Sequence, residues 1–163
     1  CFKVLSEIRL DAKMLVLNTG AHAHIKDRFI ANNISDTVAD VREADYSQMP
    51  NELSNLDAGI FFYKPTFSKK GTAPTKLGEF LACGIPCLTL AGVGDTEEII
   101  ENENVGVVLH DLTPQSQKKA LHKLLKLKED PHTKARCIQV AQKYFSLEKG
   151  VEAYDRIYRS LKQ

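Results

Sequence analysis

Three lysines and a glutamate fall within one short stretch: Lys69, Lys70, Lys76 and Glu79. An ionised glutamate only accepts hydrogen bonds, so both hydroxyls of a ribose can donate to it. Lysines supply mobile cations for phosphate. Between them runs Gly71-Thr72-Ala73-Pro74-Thr75. Proline suits the first turn of a helix, and Gly84 suits its exit. The sequence therefore predicts a short helix from about Pro74 to Gly84, with the N–H groups of Thr75, Lys76 and Leu77 lacking intrahelical partners. The helix dipole adds partial positive charge at that end. A phosphate at the helix start and a sugar hydroxyl near Glu79 would together make a site for one nucleotide. Lys76 and Glu79 are three positions apart and are expected to share a face. The plainer reading is a surface ion pair of about 0.2–0.5 kcal/mol beside solvated loop lysines. The position of the stretch, after the apolar run 58–63, favours the site, because open α/β sheets bind ligands at the carboxyl ends of their strands.

The run Ala73-Pro74-Thr75-Lys76-Leu77-Gly78-Glu79-Phe80-Leu81-Ala82-Cys83-Gly84-Ile85-Pro86 resembles the donor-site helix of retaining glycosyltransferases with the GT-B fold, the large family four. Their pattern is Pro-(Ser/Thr)-Lys-Leu-x-Glu-(Tyr/Phe)-(Leu/Met)-Ala-x-Gly-x-Pro. The resemblance implies that Glu79 holds the nucleotide ribose and that Pro74, Thr75, Lys76 and Leu77 form the helix start that holds the diphosphate. It makes Gly71 and Thr72 the loop residues next to the donor sugar. Many members carry a glutamate eight positions before the ribose glutamate; here that residue is Gly71, so loop backbone groups would serve instead. By the same resemblance, Lys76 and Glu79 are the residues of the catalytic centre, and no metal or other cofactor is needed.

The surrounding elements must hold this stretch at a sheet edge. Residues 1–9 read as the end of a helix. Residues 13–19 read as a strand buried on both faces, 24–32 as a helix with Ile25, Phe29 and Ile30 inward, and 37–41 as a second strand. A helix over 46–56, interrupted by Pro50, precedes the third strand at 57–63. Beyond the central helix come a strand at 86–90, the turn Gly92-Val93-Gly94, and a helix capped by Asp95 with Glu98 in a capping-box arrangement. A strand at 105–109 is followed by helices at 114–127 and 131–144. A last helix is capped by Ser146, with Tyr154, Ile157, Tyr158 and Leu161 at helical spacing. Strands alternating with helices predict an α/β, Rossmann-like, doubly wound parallel sheet of about five strands with helices on both faces.

The resemblance extends this to one GT-B half. Residues 1–163 would form a single nucleotide-sugar-binding domain, the carboxyl-terminal half of a two-domain enzyme whose acceptor domain lies outside the chain. The implied partners are a nucleoside diphosphate sugar, UDP before GDP, and a glycan or lipid-linked acceptor reached through that other domain. Retention at the sugar, a role in cell-surface polysaccharide synthesis, and a cytoplasmic location extending to the inner face of the membrane follow as expectations. So does inactivity of the isolated piece. A nucleotide-sugar 2-epimerase of the same fold and a non-catalytic nucleotide-binding module are the alternatives.

Composition excludes other classes. The chain has 163 residues, 43% hydrophobic and 26% charged, with a formal net charge of +1. That is ordinary for a globular domain and too neutral for a dedicated nucleic-acid surface. No apolar run is long enough to span a bilayer. Cys83 and Cys87 have neither redox nor zinc spacing and read as small buried hydrophobes. His22-Ala23-His24 lacks nearby partner ligands and reads as solvent-facing. A third glycine after Gly92 and Gly94 would fall at Glu97, so the dinucleotide fingerprint fails. Asp57 opens its strand rather than ending it, against a phosphoacceptor domain, and no Gly-x-Ser-x-Gly elbow is present. Lys118, Lys119, Lys123, Lys126 and Lys128 read as a solvated helix face.

Overall fold

A computed structural model describes residues 1–64 and 66–161; Pro65, which opens the lysine-bearing loop, lies outside the described residues. Helices and strands alternate in the order α1 (Phe2–Ile8), β1 (Met14–Leu17), α2 (His22–Ala31), β2 (Ala39–Arg42), α3 (Met49–Ser54), β3 (Gly59–Ile60), α4 (Thr75–Ala82), β4 (Cys87–Leu90), α5 (Thr96–Asn102), β5 (Gly106–Leu109), α6 (Pro114–Glu129), α7 (Thr133–Phe145) and α8 (Leu147–Ser160). Single turns of 3₁₀-helix stand at Tyr46–Gln48 and Phe67–Gly71. Every strand pairing is parallel. The architecture is Rossmann-like, as the alternation predicts.

The ladder is divided, however. β1 pairs with β2, and β3-β4-β5 form a second group. Among the described residues β1 and β3 each carry one unpaired edge. This explains why β1 departs from the expectation of burial on both faces: all four of its apolar residues are only half-buried. A strand reaches full burial when neighbours flank it and helices cover both faces. β4 meets that condition, with Cys87, Leu88 and Thr89 buried between β3 and β5.

The core is built on this three-stranded group. On one face Phe61, Leu77, Leu81, Cys87, Ile99, Ile100, Val105, Val108, Cys137 and Val140 cluster under α4, α5 and α7. On the other, Leu88, Val107 and Leu109 meet Ala120, Leu121 and Leu124 of α6, and α1 adds Val4, Leu5 and Ile8. Leucines fully buried in this way contribute about 1.5–3 kcal/mol each.

Helix ends follow local chemistry, with exceptions. Ser146 caps α8, its Oγ accepting from the Lys149 N–H at 3.4 Å. Asp95 precedes α5 but makes no side-chain cap bond. Its backbone, at φ −91° and ψ 7°, is already near-helical, whereas a capping side chain needs an extended N-cap. A capping box does form at Asp45 and Gln48, where none was expected. The helix predicted over 46–56 begins as 3₁₀ and becomes α only at Met49, because Pro50 has no N–H to donate. In α2, Ile25 and Phe29 are half-buried and Ile30 is exposed, against expectation, since only the thin β1–β2 pair lies beneath. His22 is half-buried rather than solvent-facing and bonds the Asn18 carbonyl oxygen at 2.5 Å. No described helix is long and apolar enough to cross a membrane.

Candidate functional site

The 3₁₀ turn at Phe67–Gly71 leaves β3 and leads through extended Thr72 and Pro74 into α4. Pro74 is the residue before the helix rather than its first, and no side chain caps the helix start. The Leu77 N–H donates to the Pro74 carbonyl at 3.1 Å, so of the three first-turn donors expected to be open, this one has a partner. At the far end the Ile85 N–H reaches the Phe80 carbonyl at 3.0 Å and the Gly84 N–H the Leu81 carbonyl at 2.9 Å. That pair of bonds is the Schellman closure, and Gly84 supplies its left-handed residue at φ +78°. α4 is thus ended firmly at its carboxyl terminus and left uncapped at its amino terminus.

Two contacts hold the loop in place. The Gly94 N–H donates to the Lys69 carbonyl at 3.0 Å. Gly94 sits at φ +50°, and a Cβ there would collide with the Thr72 carbonyl oxygen. The loop after β4 therefore lies directly on the loop after β3, both at the carboxyl ends of their strands. From the core side, Phe80 stacks on Phe61 at 6.4 Å and Phe61 meets Tyr63 edge-on at 6.2 Å. The Lys69 ammonium then lies 5.3 Å from the centroid of the Tyr63 ring. A continuous aromatic series runs from the buried face of α4 to a loop lysine.

On its outer side α4 faces α7 across a groove of about 520 Å³. Thr75, Gly78, Glu79 and Ala82 form one wall, and Ile138, Ala141, Gln142 and Phe145 the other. The helices approach closely because position 78 has no side chain: a Cβ there would sit 3.0 Å from the Phe145 ring. Thr75 and Glu79 share this wall as helical neighbours. Lys76 stands three positions before Glu79 in the helix and is exposed like it, but is not among the residues that line the groove. No ion pair joins Lys76 and Glu79, and among the described residues Lys69, Lys70, Lys76 and Glu79 make no ion pair at all. Lys70, Lys76 and Glu79 are exposed, and Lys69 is half-buried under its cation–π contact.

Other constellations stand apart. Glu97, Glu101 and His110 bring ligand-type atoms within 4.8 Å of one another, with the His110 Nε2 3.7 Å from Glu97. This is the group among the described residues that could hold a metal; Glu97 and Glu101 are one turn apart on α5, and only the fold brings His110, after β5, beside them. The cysteines are free. Cys87 is buried in the core as expected, Cys83 is only half-buried against expectation, and Cys137 is buried as well. Burial pushes the Cys137 thiol up to about 11 and that of Cys87 well above its ordinary value. Neither is a nucleophile at neutral pH.

The family described as Glycosyl transferases group 1 matches residues 4–144. The chain belongs to that family. The match runs from within α1 to Tyr144 in α7, and so includes the loop lysines and every named wall residue of the groove except Phe145. No curated protein matches this group 1 chain. Among solved structures it is similar to AviGT4, a glycosyltransferase involved in avilamycin A biosynthesis, at 15% identity and a TM-score of 0.49. That alignment takes in 91% of the present chain and 44% of AviGT4. The chain thus spans less than half the length of that enzyme. The family reached from the Ala73–Pro86 pattern is the one that the wider match identifies.

Proposed function

We propose that this group 1 domain is the donor-binding half of a retaining GT-B glycosyltransferase. The whole protein transfers a sugar from a nucleoside diphosphate sugar, UDP before GDP, to a glycan or lipid-linked acceptor. The observation that carries the reading is the combination at α4. An uncapped helix start directly follows a loop with two lysines and carries a third, none of them paired with a described acidic side chain, and one turn on Glu79 lines a groove. Such a place favours a dianion beside a hydroxyl donor. The ribose donates to Glu79. The diphosphate lies at Thr75 and Lys76, with Lys69 and Lys70 at its flank.

As the sugar–oxygen bond breaks, negative charge grows on the departing diphosphate. The helix terminus and Lys76 are in place before that charge develops, which is the condition for electrostatic catalysis. On this reading the cations do the work that a metal does in other transferases, and no resident cofactor is needed. Acceptor binding and turnover belong to the full protein, which acts in the cytoplasm, at the inner face of the membrane, in cell-surface polysaccharide synthesis.

A thermal-shift series with UDP, GDP, ADP and NAD tests the donor site on this chain and on Glu79→Ala. At a hundredfold excess over its dissociation constant a ligand stabilises by about 2.7 kcal/mol, a melting shift of roughly 5–10 °C at this size. The expected result is a shift with one diphosphate that disappears in Glu79→Ala. Shifts that are equal in both proteins, or absent with every ligand at millimolar concentration, would sink the proposal.

A further inference from the structure

We infer that Phe67 is the surface on which the donor's sugar ring stacks, with Lys70 beside it at the sugar-bearing phosphate; this rests on the donor-site reading above. Phe67 is 88% exposed. A single exposed aromatic is ordinary; the setting of this one is not. In a 3₁₀ turn residues three apart eclipse, so Phe67 and Lys70 stand one above the other. The Lys70 ammonium lies 5.9 Å from the ring centroid. The turn is held in place by the Gly94 N–H on the Lys69 carbonyl and by the contact of the Thr66 and Ser68 hydroxyls at 3.1 Å.

Just beyond Lys70, a Cβ at Gly71 would meet nothing within 4 Å, and Gly71 does not occupy a left-handed conformation. Neither packing nor backbone geometry calls for glycine there. The result is bare backbone with open space, next to an exposed ring and an ammonium that has no ion-pair partner among the described residues. The C–H face of a pyranose is apolar and slightly positive, and it suits the negative face of a phenyl ring. Along the chain the groups also follow the order of the ligand's parts: Glu79 for the ribose, Thr75 and Lys76 for the diphosphate, then Gly71, Lys70 and Phe67 for the sugar. A phosphate that draws Lys70 away from the ring leaves that face free to stack.

The test compares titration calorimetry of UDP with UDP-glucose, and of GDP with GDP-mannose, on the wild-type chain, Phe67→Ala, Phe67→Leu and Phe67→Tyr. Phe67→Ala should weaken the sugar nucleotide about five- to tenfold, the scale of losing part of a buried phenyl face. It should leave the parent diphosphate within about twofold. Phe67→Tyr should restore the sugar nucleotide, and Phe67→Leu should not. Diphosphate binding by the wild type, with the sugar nucleotide unaffected in Phe67→Ala or weakened to the same degree as its parent, overturns the inference and leaves the donor site standing. Failure of every probe to bind the wild type overturns the donor site itself.

Discussion

Glu79 and Gly94 show how differently two residues of one site respond to substitution. Glu79 is exposed and its carboxylate has no hydrogen-bond or ion-pair partner among the described residues, so Glu79→Ala should change stability by less than about 0.5 kcal/mol. Its effect should appear in ligand affinity alone, a separation that urea unfolding and calorimetry together would check. Gly94→Ala is the reverse case. It combines a left-handed backbone with a clash against the Thr72 carbonyl oxygen. It should cost about 1–3 kcal/mol and weaken diphosphate binding by displacing the loop, with loss of only one of the two counting against the coupling of these loops.

Titration at Glu103 belongs to the same scale. The Lys143 ammonium and the Tyr144 hydroxyl both donate to its carboxylate, at 2.6 and 2.7 Å, and hold it below its ordinary value of 4.5. A depressed folded value means that the contribution is complete above the unfolded value and is lost as pH falls through the folded one. The melting temperature of wild type should therefore drop more steeply below about pH 4.5 than that of Glu103→Gln. Parallel curves would show that the pair adds nothing.

Among the elements, α4 was the most legible in sequence. The glycine after it left a mark that the structure keeps, the proline stands one residue earlier than its spacing suggested, and Leu77 and Leu81 are buried. Its partner across the groove left none: Phe145 lies against Gly78 only in the folded chain, since the residues are far apart in sequence and share no motif. The same limit hid the grouping of Glu97 and Glu101 with His110; the capping box at Asp45 and Gln48 is local, and its spacing alone does not tell it from any other Asp and Gln three apart. Asp95 shows the opposite failure, a correct motif whose backbone angles do not let it operate.

α8 carries an element-scale prediction. Leu147, Val151, Tyr154, Ile157, Tyr158 and Leu161 form an apolar stripe, yet no residue of the helix is buried. Deleting residues 147–161 should shift the midpoint of urea unfolding by little, because almost no apolar area is uncovered. By contrast Leu81→Ala, at a position wholly sealed from solvent, should cost about 2–5 kcal/mol. A large loss on deleting α8 would mean that the stripe is covered in solution.

For the molecule as a whole, strand–helix alternation was enough to give the fold class, because period and polarity are local. Which strands pair is not local, and the division between β1–β2 and β3–β4–β5 was invisible to it. That division has a consequence in time. In a parallel strand alternate N–H groups point to opposite sides. On β1 the Met14 and Asn18 amides reach Val38 and Arg42 of the β2 side, and on β3 Gly59 and Phe61 reach Pro86 and Leu88. The amides of Leu15, Leu17 and Ile60 therefore face the open edges. Placed in deuterated water, the two strands should lose their protons in a comb: every second amide exchanges quickly, and the ones between are held until the strand itself opens. β4, paired on both sides, should keep all of its amides. Amide-resolved exchange would show the comb directly, and uniform protection along β1 would mean that another strand lies in the gap.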